Sequence, residues 1–187
     1  MPEIYAPDDD SFLMAEVLKK RIQAIISKKN EAKFLEIGCG SGFLLEIVFK
    51  LGIKKENILG ADINEKAVAY CKKLGFNSIT SDLFSSISDK FDVIIFNPPY
   101  LPEDEREPKD SRLETTGGKK GSEITNRFLS QAKSHLSKNG KIFLLASSLA
   151  KGLDFAGYKK RKISEKKFFF EKLWVFELSI ENNNAYK

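Results

Sequence analysis

The chain has 187 residues, 42% of them hydrophobic and 30% charged, and carries a net charge of +5. That composition is a globular one, long enough for a single domain with a proper core, and it excludes a disordered chain. No apolar run approaches the ~20 residues needed to cross a membrane; the two cysteines, Cys39 and Cys71, and the lone His135 fall in no metal or redox spacing, so no metal is expected.

In chain order, Asp8-Asp9-Asp10 caps a helix predicted over 11–28, where Phe12, Val17, Leu18, Ile22, Ile25 and Ile26 recur at helical spacing. "KFLEI" at 33–37 reads as a strand, "GCGSG" as a tight turn and 43–50 as a helix. "NILGAD" at 57–62 is a second strand, and "NEKAVAYCKKLG" is a helix that ends at Gly75. Asn77 to Thr80 makes a short third strand leading into "SDLF". "FDVIIF" at 91–96 is the fourth strand, stopped by Pro98 and Pro99, which cannot donate to a sheet ladder. A polar loop over 101–121 precedes a helix predicted over 122–137; "KIFLLAS" at 141–147 is the fifth strand, and 159–170 with 172–180 form a closing pair. The stretch from Ser148 to Tyr158 is too short for a full helix.

Strands alternating with helices predict an α/β fold, a doubly wound, mostly parallel, seven-stranded Rossmann-like sheet with an antiparallel closing strand. Residues 1–187 read as one domain, with 1–30 an N-terminal arm and helix and 31–187 the core. The acidic opening is the wrong charge for a leader peptide, and the cysteine usage points to a reducing cytoplasm. The basic runs Lys159–Lys162 and Lys166-Lys167 stand evenly between a solvated surface and a docking patch for an acidic or RNA-containing partner.

Ligands of such sheets sit beyond the carboxyl ends of the strands, where "GCGSG", Asp62, "SDLF" and "NPPY" all fall. The glycine turn is not a dinucleotide fingerprint, because Phe43 stands where the third glycine belongs. Glu36, Asp62 and Asp82 would repel a pyrophosphate. They suit S-adenosylmethionine, which has an ammonium, a sulfonium and a ribose diol but no phosphate. In that reading Gly38 and Gly40 admit the methionine moiety and Glu36 answers its positive charge. Asp62 accepts the ribose hydroxyls, Asp82 accepts from the adenine amino group, and Leu83 packs on the ring.

"NPPY" then fits methyl transfer to a planar NH2 nitrogen. The Asn97 side-chain carbonyl and the Pro98 backbone carbonyl can each accept one N–H, aiming the nitrogen lone pair, while Tyr100 offers a flat wall. The motif specifies a planar nitrogen and leaves the acceptor molecule open.

"YAPDDDSFLMAEVL", "FLEIGCGSGF", "ILGADIN", "FDVIIFNPPYLP" and "GGKKGSEITNRFL" together resemble the short archaeal and eukaryotic branch of the HemK-type glutamine methyltransferases, from Tyr5 to about Leu178. The resemblance implies methylation of the glutamine side-chain amide in the Gly-Gly-Gln loop of a class-1 translation release factor. Carried over by position, it implies cofactor contacts from Ser11, Glu36, Gly38, Asp62, Asp82, Leu83 and Asn97, with Asn97 also touching the acceptor amide. It implies no separate N-terminal helical domain. It also implies a small zinc-binding activator subunit on the edge strand at Asn77 to Thr80, where "FNSIT" has neither charge nor proline to blunt the edge and the next helix carries Val68 and Tyr70. The charged loop 103–116 departs from the family pattern. The alternative is an RNA or DNA methyltransferase acting on an adenine or guanine amino group, with direct nucleic-acid binding less favoured because no RNA-binding module is appended; a lysine acceptor stays open beside glutamine.

Overall fold

The computed structural model describes residues 4–104, 106, 115–168 and 170–181. Most of the expected charged loop, residues 105 and 107–114, lies outside the described residues. The elements are α1 (Asp9–Ile26), β1 (Phe34–Ile37), α2 (Phe43–Lys50), β2 (Ile58–Asp62), α3 (Glu65–Lys73), β3 (Asn77–Thr80), β4 (Phe91–Phe96), α4 (Glu123–Ala132), β5 (Leu136–Ser147), β6 (Tyr158–Lys167) and β7 (Lys172–Ile180).

The seven strands form one sheet in the order β3-β2-β1-β4-β5-β7-β6. β1 to β5 pair in parallel, and β7 runs antiparallel between β5 and β6. Both faces of the central strands are buried, so their sequences alternate between two apolar layers instead of between core and water. On β4, Val93 and Ile95 pack under α1 and α2. Ile94 and Phe96 face the opposite layer, which is closed by Phe84 and by Phe128 of α4. The fold is the doubly wound one expected, with the third strand at an edge.

Two features depart from the sequence expectation, and a third follows it. The helix expected to reach residue 137 ends at Ala132; a 3-10 turn over Lys133–His135 follows, and β5 begins at Leu136. Leu136 is buried and pairs with Phe91, so tertiary pairing overrides helical spacing there. Asn139, with φ of 66°, then carries the backbone through an irregular step before regular pairing resumes at Lys141. On α3, Val68 is buried and only Tyr70 is exposed, so that helix adds less apolar surface beside the edge than both residues would. Finally, no helix forms between β5 and β6, as the short spacing requires; Leu153 and Phe155 pack there instead, Phe155 edge-on to Phe176 of β7. Among the described residues no helix is long and apolar enough to cross a membrane.

Candidate active site

The parallel strands end along one side of the sheet, and a cavity of about 270 Å3 opens there. Each strand delivers its last residues to it. β1 supplies Ile37 and Gly38, β2 supplies Asp62, the turn after β3 supplies Asp82 and Leu83, and β4 supplies Phe96 to Tyr100.

The glycine turn after β1 is held by backbone. Gly38 and Gly40 have φ of 69° and 47°, the left-handed region that a side chain disfavours. Gly38 and Cys39 both donate their N–H to the Ala61 carbonyl, at 2.7 and 3.1 Å. Asp62 fastens the turn from the next strand, accepting the Gly40 N–H at 2.9 Å on one oxygen and the Asn64 N–H at 2.8 Å on the other. Burial raises the Asp62 carboxyl above its usual range, and these N–H groups oppose that shift. Each oxygen still has a lone pair for a ligand hydroxyl. Cys39 and Cys71 lie behind the turn as buried free thiols 3.6 Å apart.

Asp82 stands at the rim, its carboxylate 2.7 Å from the Arg127 guanidinium of α4. Leu83 beside it has φ of 52°, a conformation that costs a non-glycine residue about 1–3 kcal/mol. Ser81 holds it by donating its hydroxyl to the Leu83 carbonyl at 2.9 Å.

On the opposite wall, the Asn97 Oδ1 is buried and has no hydrogen-bond partner among the described residues. The Pro98 carbonyl accepts none there either. An unpaired buried acceptor costs about 1–3 kcal/mol, so the loop holds two acceptors in readiness at a stability cost. Tyr100 packs against the core, where burial and then the nearby Asp10 raise its phenol well above the ordinary value.

The loop is clamped from outside. Leu101 donates to Thr115 O and Gly117 to Leu101 O, both at 2.9 Å, which lays residues 115–118 against it. A Cβ at Gly117 would sit 2.6 Å from the Pro99 carbonyl oxygen, and one at Gly121 2.4 Å from that of Tyr100. Gly117 and Gly121 are therefore required by close backbone approach.

Gly38, Gly40, Asp62, Asp82, Leu83, Asn97, Pro98 and Tyr100 all line the cavity. Ser11 and Glu36 stand behind its wall. Ser11 is buried in the first turn of α1 and gives its N–H and hydroxyl to Asp10, so Asp10 lines the cavity in its place. Strand alternation turns Glu36 toward the α2 side, where its Oε2 has no partner among the described residues. Burial, with Cys71 and Asp62 nearby, raises its carboxyl well above the usual range.

Sequence reasoning missed Tyr5, Asp10 and Arg127. Tyr5 reaches over the glycine turn and donates its hydroxyl to both Asp10 oxygens at 2.9 Å. All three belong to stretches already singled out, "YAPDDDS" and "GSEITNRFL", in which only Ser11 drew a site assignment. Asp10, Asp62 and Asp82 thus face the cavity with Arg127 the lone cation among the described lining residues, and Arg127 is paired.

Comparison with known proteins gives a consistent picture. The methyltransferase small domain family model matches residues 6–155. A putative protein N5-glutamine methyltransferase of Methanocaldococcus jannaschii is 38% identical, over 93% of this chain and 90% of its own. The eRF1 methyltransferase catalytic subunit of Schizosaccharomyces pombe is 29% identical over 77% of this chain and 72% of its own. Among solved structures, the E. cuniculi Mtq2-Trm112 complex, described as responsible for methylating the eRF1 termination factor, superposes with a TM-score of 0.71 at 24% identity, covering 95% of this chain and 99% of that one.

Proposed function

The chain belongs to the methyltransferase small domain family, and from that premise we propose that it uses S-adenosylmethionine to methylate the side-chain amide of a glutamine in a class-1 translation release factor. The observation that carries this reading is the buried Asn97 Oδ1 on the cavity wall beside the Pro98 carbonyl, both without a partner among the described residues. Two acceptors side by side match an NH2 group, which has two N–H bonds to give.

The cavity also fits the cofactor. Three carboxylates against one paired guanidinium favour a cation without phosphate, and the left-handed glycines keep the turn free of side chains. Gly38, Gly40, Asp62, Asp82 and Leu83 would hold it, with Asp62 taking the ribose hydroxyls. Glu36 and Ser11 would act from behind the wall, Ser11 by fixing Asp10. When bound, the cofactor supplies an electrophilic methyl group on a sulfonium.

Asn97 and Pro98 orient the acceptor amide by taking its two N–H bonds, which turns the nitrogen lone pair toward the methyl group and favours its localisation as the bond forms. Tyr100, kept protonated by burial, offers a flat neutral wall to the amide plane. No general base is required, because the alkylated nitrogen is acidic and its proton leaves to water. The carboxylate rim disfavours a nucleic-acid acceptor, whose phosphates would have to approach Asp10, Asp62 and Asp82.

A small zinc-binding activator subunit is proposed at the open edge of β3. In support, β3 ends the sheet, so the backbone groups on its outer side face no neighbouring strand of this chain. The fission-yeast relative, moreover, is named a catalytic subunit.

The test is to incubate the chain, with and without the activator, with methyl-labelled cofactor and either release factor or total RNA. Label should enter the release factor, and Asn97→Ala should lower the rate by ~10²–10³ while cofactor affinity changes little, the usual loss for one transition-state contact. Label in RNA alone, or normal turnover by the variant, would overturn the assignment.

A further inference from the structure

A second concavity, a groove of about 1060 Å3, lies at the opposite end of the sheet, along the amino ends of β4 and β5 and beneath the end of α1. Nine cationic side chains line it against two carboxylates, Asp92 and Glu177. That excess of seven is larger than the +5 of the entire chain, so the rest of the molecule is net acidic and the positive charge is concentrated here.

The two carboxylates are already engaged. Asp92 pairs with Lys29 at 2.8 Å, and Glu177 takes Arg161 at 3.0 Å with Arg21 at 3.9 Å, while Lys133 gives its ammonium to the Ala156 carbonyl at 2.7 Å. Lys28, Lys90, Lys138, Lys141 and Lys159 remain, none with a hydrogen bond or ion pair from its ammonium among the described residues. They come from four separate parts of the chain, so the fold, and not a local charge run, assembles them.

The basic run on β6 shows the same selection. Strand alternation splits it. Lys160 lies over the Phe155 ring at 4.2 Å and Lys162 over Trp174 at 6.0 Å, spent on packing the far face. Lys159 and Arg161 turn into the groove.

We propose that this groove binds the backbone of single-stranded RNA, at a site remote from the methyl-transfer cavity. The free charges are all lysines, point charges that suit phosphates read without sequence. An acidic peptide would be better held by guanidinium forks, and both arginines are committed to Glu177. The side chains of Ser137, Asn139 and Ser179 also line the groove without partners among the described residues and can bond ribose 2′-hydroxyls. Because the cavity opens at the other end of the strands, RNA held here is a tether and not the methyl acceptor. This holds whatever the acceptor proves to be.

The test measures fluorescence anisotropy of a labelled oligouridylate titrated with the intact chain. With five lysine contacts the salt slope should be about −3.5, a loss on the order of a hundredfold in affinity between roughly 50 and 200 mM salt. The triple variant Lys28→Glu/Lys138→Glu/Lys159→Glu should bind at least about tenfold more weakly while keeping its cofactor affinity, which reports a native fold. The milder Lys28→Gln/Lys138→Gln/Lys159→Gln variant should fall in between. A slope near zero, undiminished binding by the variants, equal or tighter binding of an oligothymidylate, or displacement of the RNA by polyglutamate at matching charge would each overturn the proposal.

Discussion

Gly117→Ala adds one methyl group outside the cavity and should disable transfer from there. The new Cβ would lie 2.4 Å from the Gly121 carbonyl oxygen and 2.6 Å from that of Pro99. Non-bonded carbon and oxygen need roughly 3.0–3.5 Å, so one of these backbones must recede by about 0.5–1 Å. Gly121 has little room to yield, since its own Cα faces the Tyr100 carbonyl. The Asn97–Tyr100 loop therefore takes much of the shift. A displacement of about 1 Å in a positioning group costs ~10² in rate, and overpacking of this kind costs ~1–3 kcal/mol of stability. Single-turnover transfer to the release factor and cofactor calorimetry on the same preparation separate the two. The rate should fall by one to two orders of magnitude with cofactor affinity nearly intact, because the glycine turn and Asp62 are untouched. Wild-type turnover in a folded variant would refute the clamp, and a parallel loss of cofactor binding would refute the division of labour between the two walls.

Asp62→Ala should weaken the cofactor by roughly 1.5–3 kcal/mol, the worth of a hydrogen bond to a charged group; it should also lower the melting temperature, since the Gly40 and Asn64 N–H groups lose their acceptor, and unchanged affinity would show that the ribose lies elsewhere. Glu36→Gln tests the buried carboxyl through pH. Folding raises this group's pKa, so the native state binds the extra proton and wild-type stability falls as pH rises above the usual glutamate value of 4.5. The variant's stability relative to wild type should grow with pH there, by at most ~1.4 kcal/mol per unit; parallel denaturation curves would refute it. On β3, Ser81 donates its N–H to Asp62 O, so alternation turns the Ile79 N–H toward β2 and those of Ser78 and Thr80 toward the open edge. Thr80→Pro, on an exposed side chain, should therefore abolish binding of the activator while leaving cofactor affinity unchanged; a complex that survives it does not use this edge.

What could be read from the sequence was whatever a strand end fixes locally. β1, β2 and β4 were legible to within a residue because each is a short apolar run stopped by glycine, acid or proline, and in a parallel sheet the residues after those stops must share one side. That reasoning reaches Gly38, Asp62, Leu83 and Asn97 without knowledge of any contact. It fails where a partner arrives from far along the chain. Arg127 meets Asp82 from 45 positions away, and no spacing rule announces that pairing. Glu36 fails for the opposite reason, since its place is local but strand alternation, which the acidic-rim argument left out, turns its carboxylate inward. The basic C-terminal run is the hardest case. As a string, Lys159 to Lys162 is one patch; as a strand it is two, one face stacked on rings and the other joined to lysines from the turn after α1 and the start of β5. A charge run acquires a function only when the fold decides which of its members are left without work inside the protein. Here that is Lys159, since Arg161 beside it in the groove is held by Glu177.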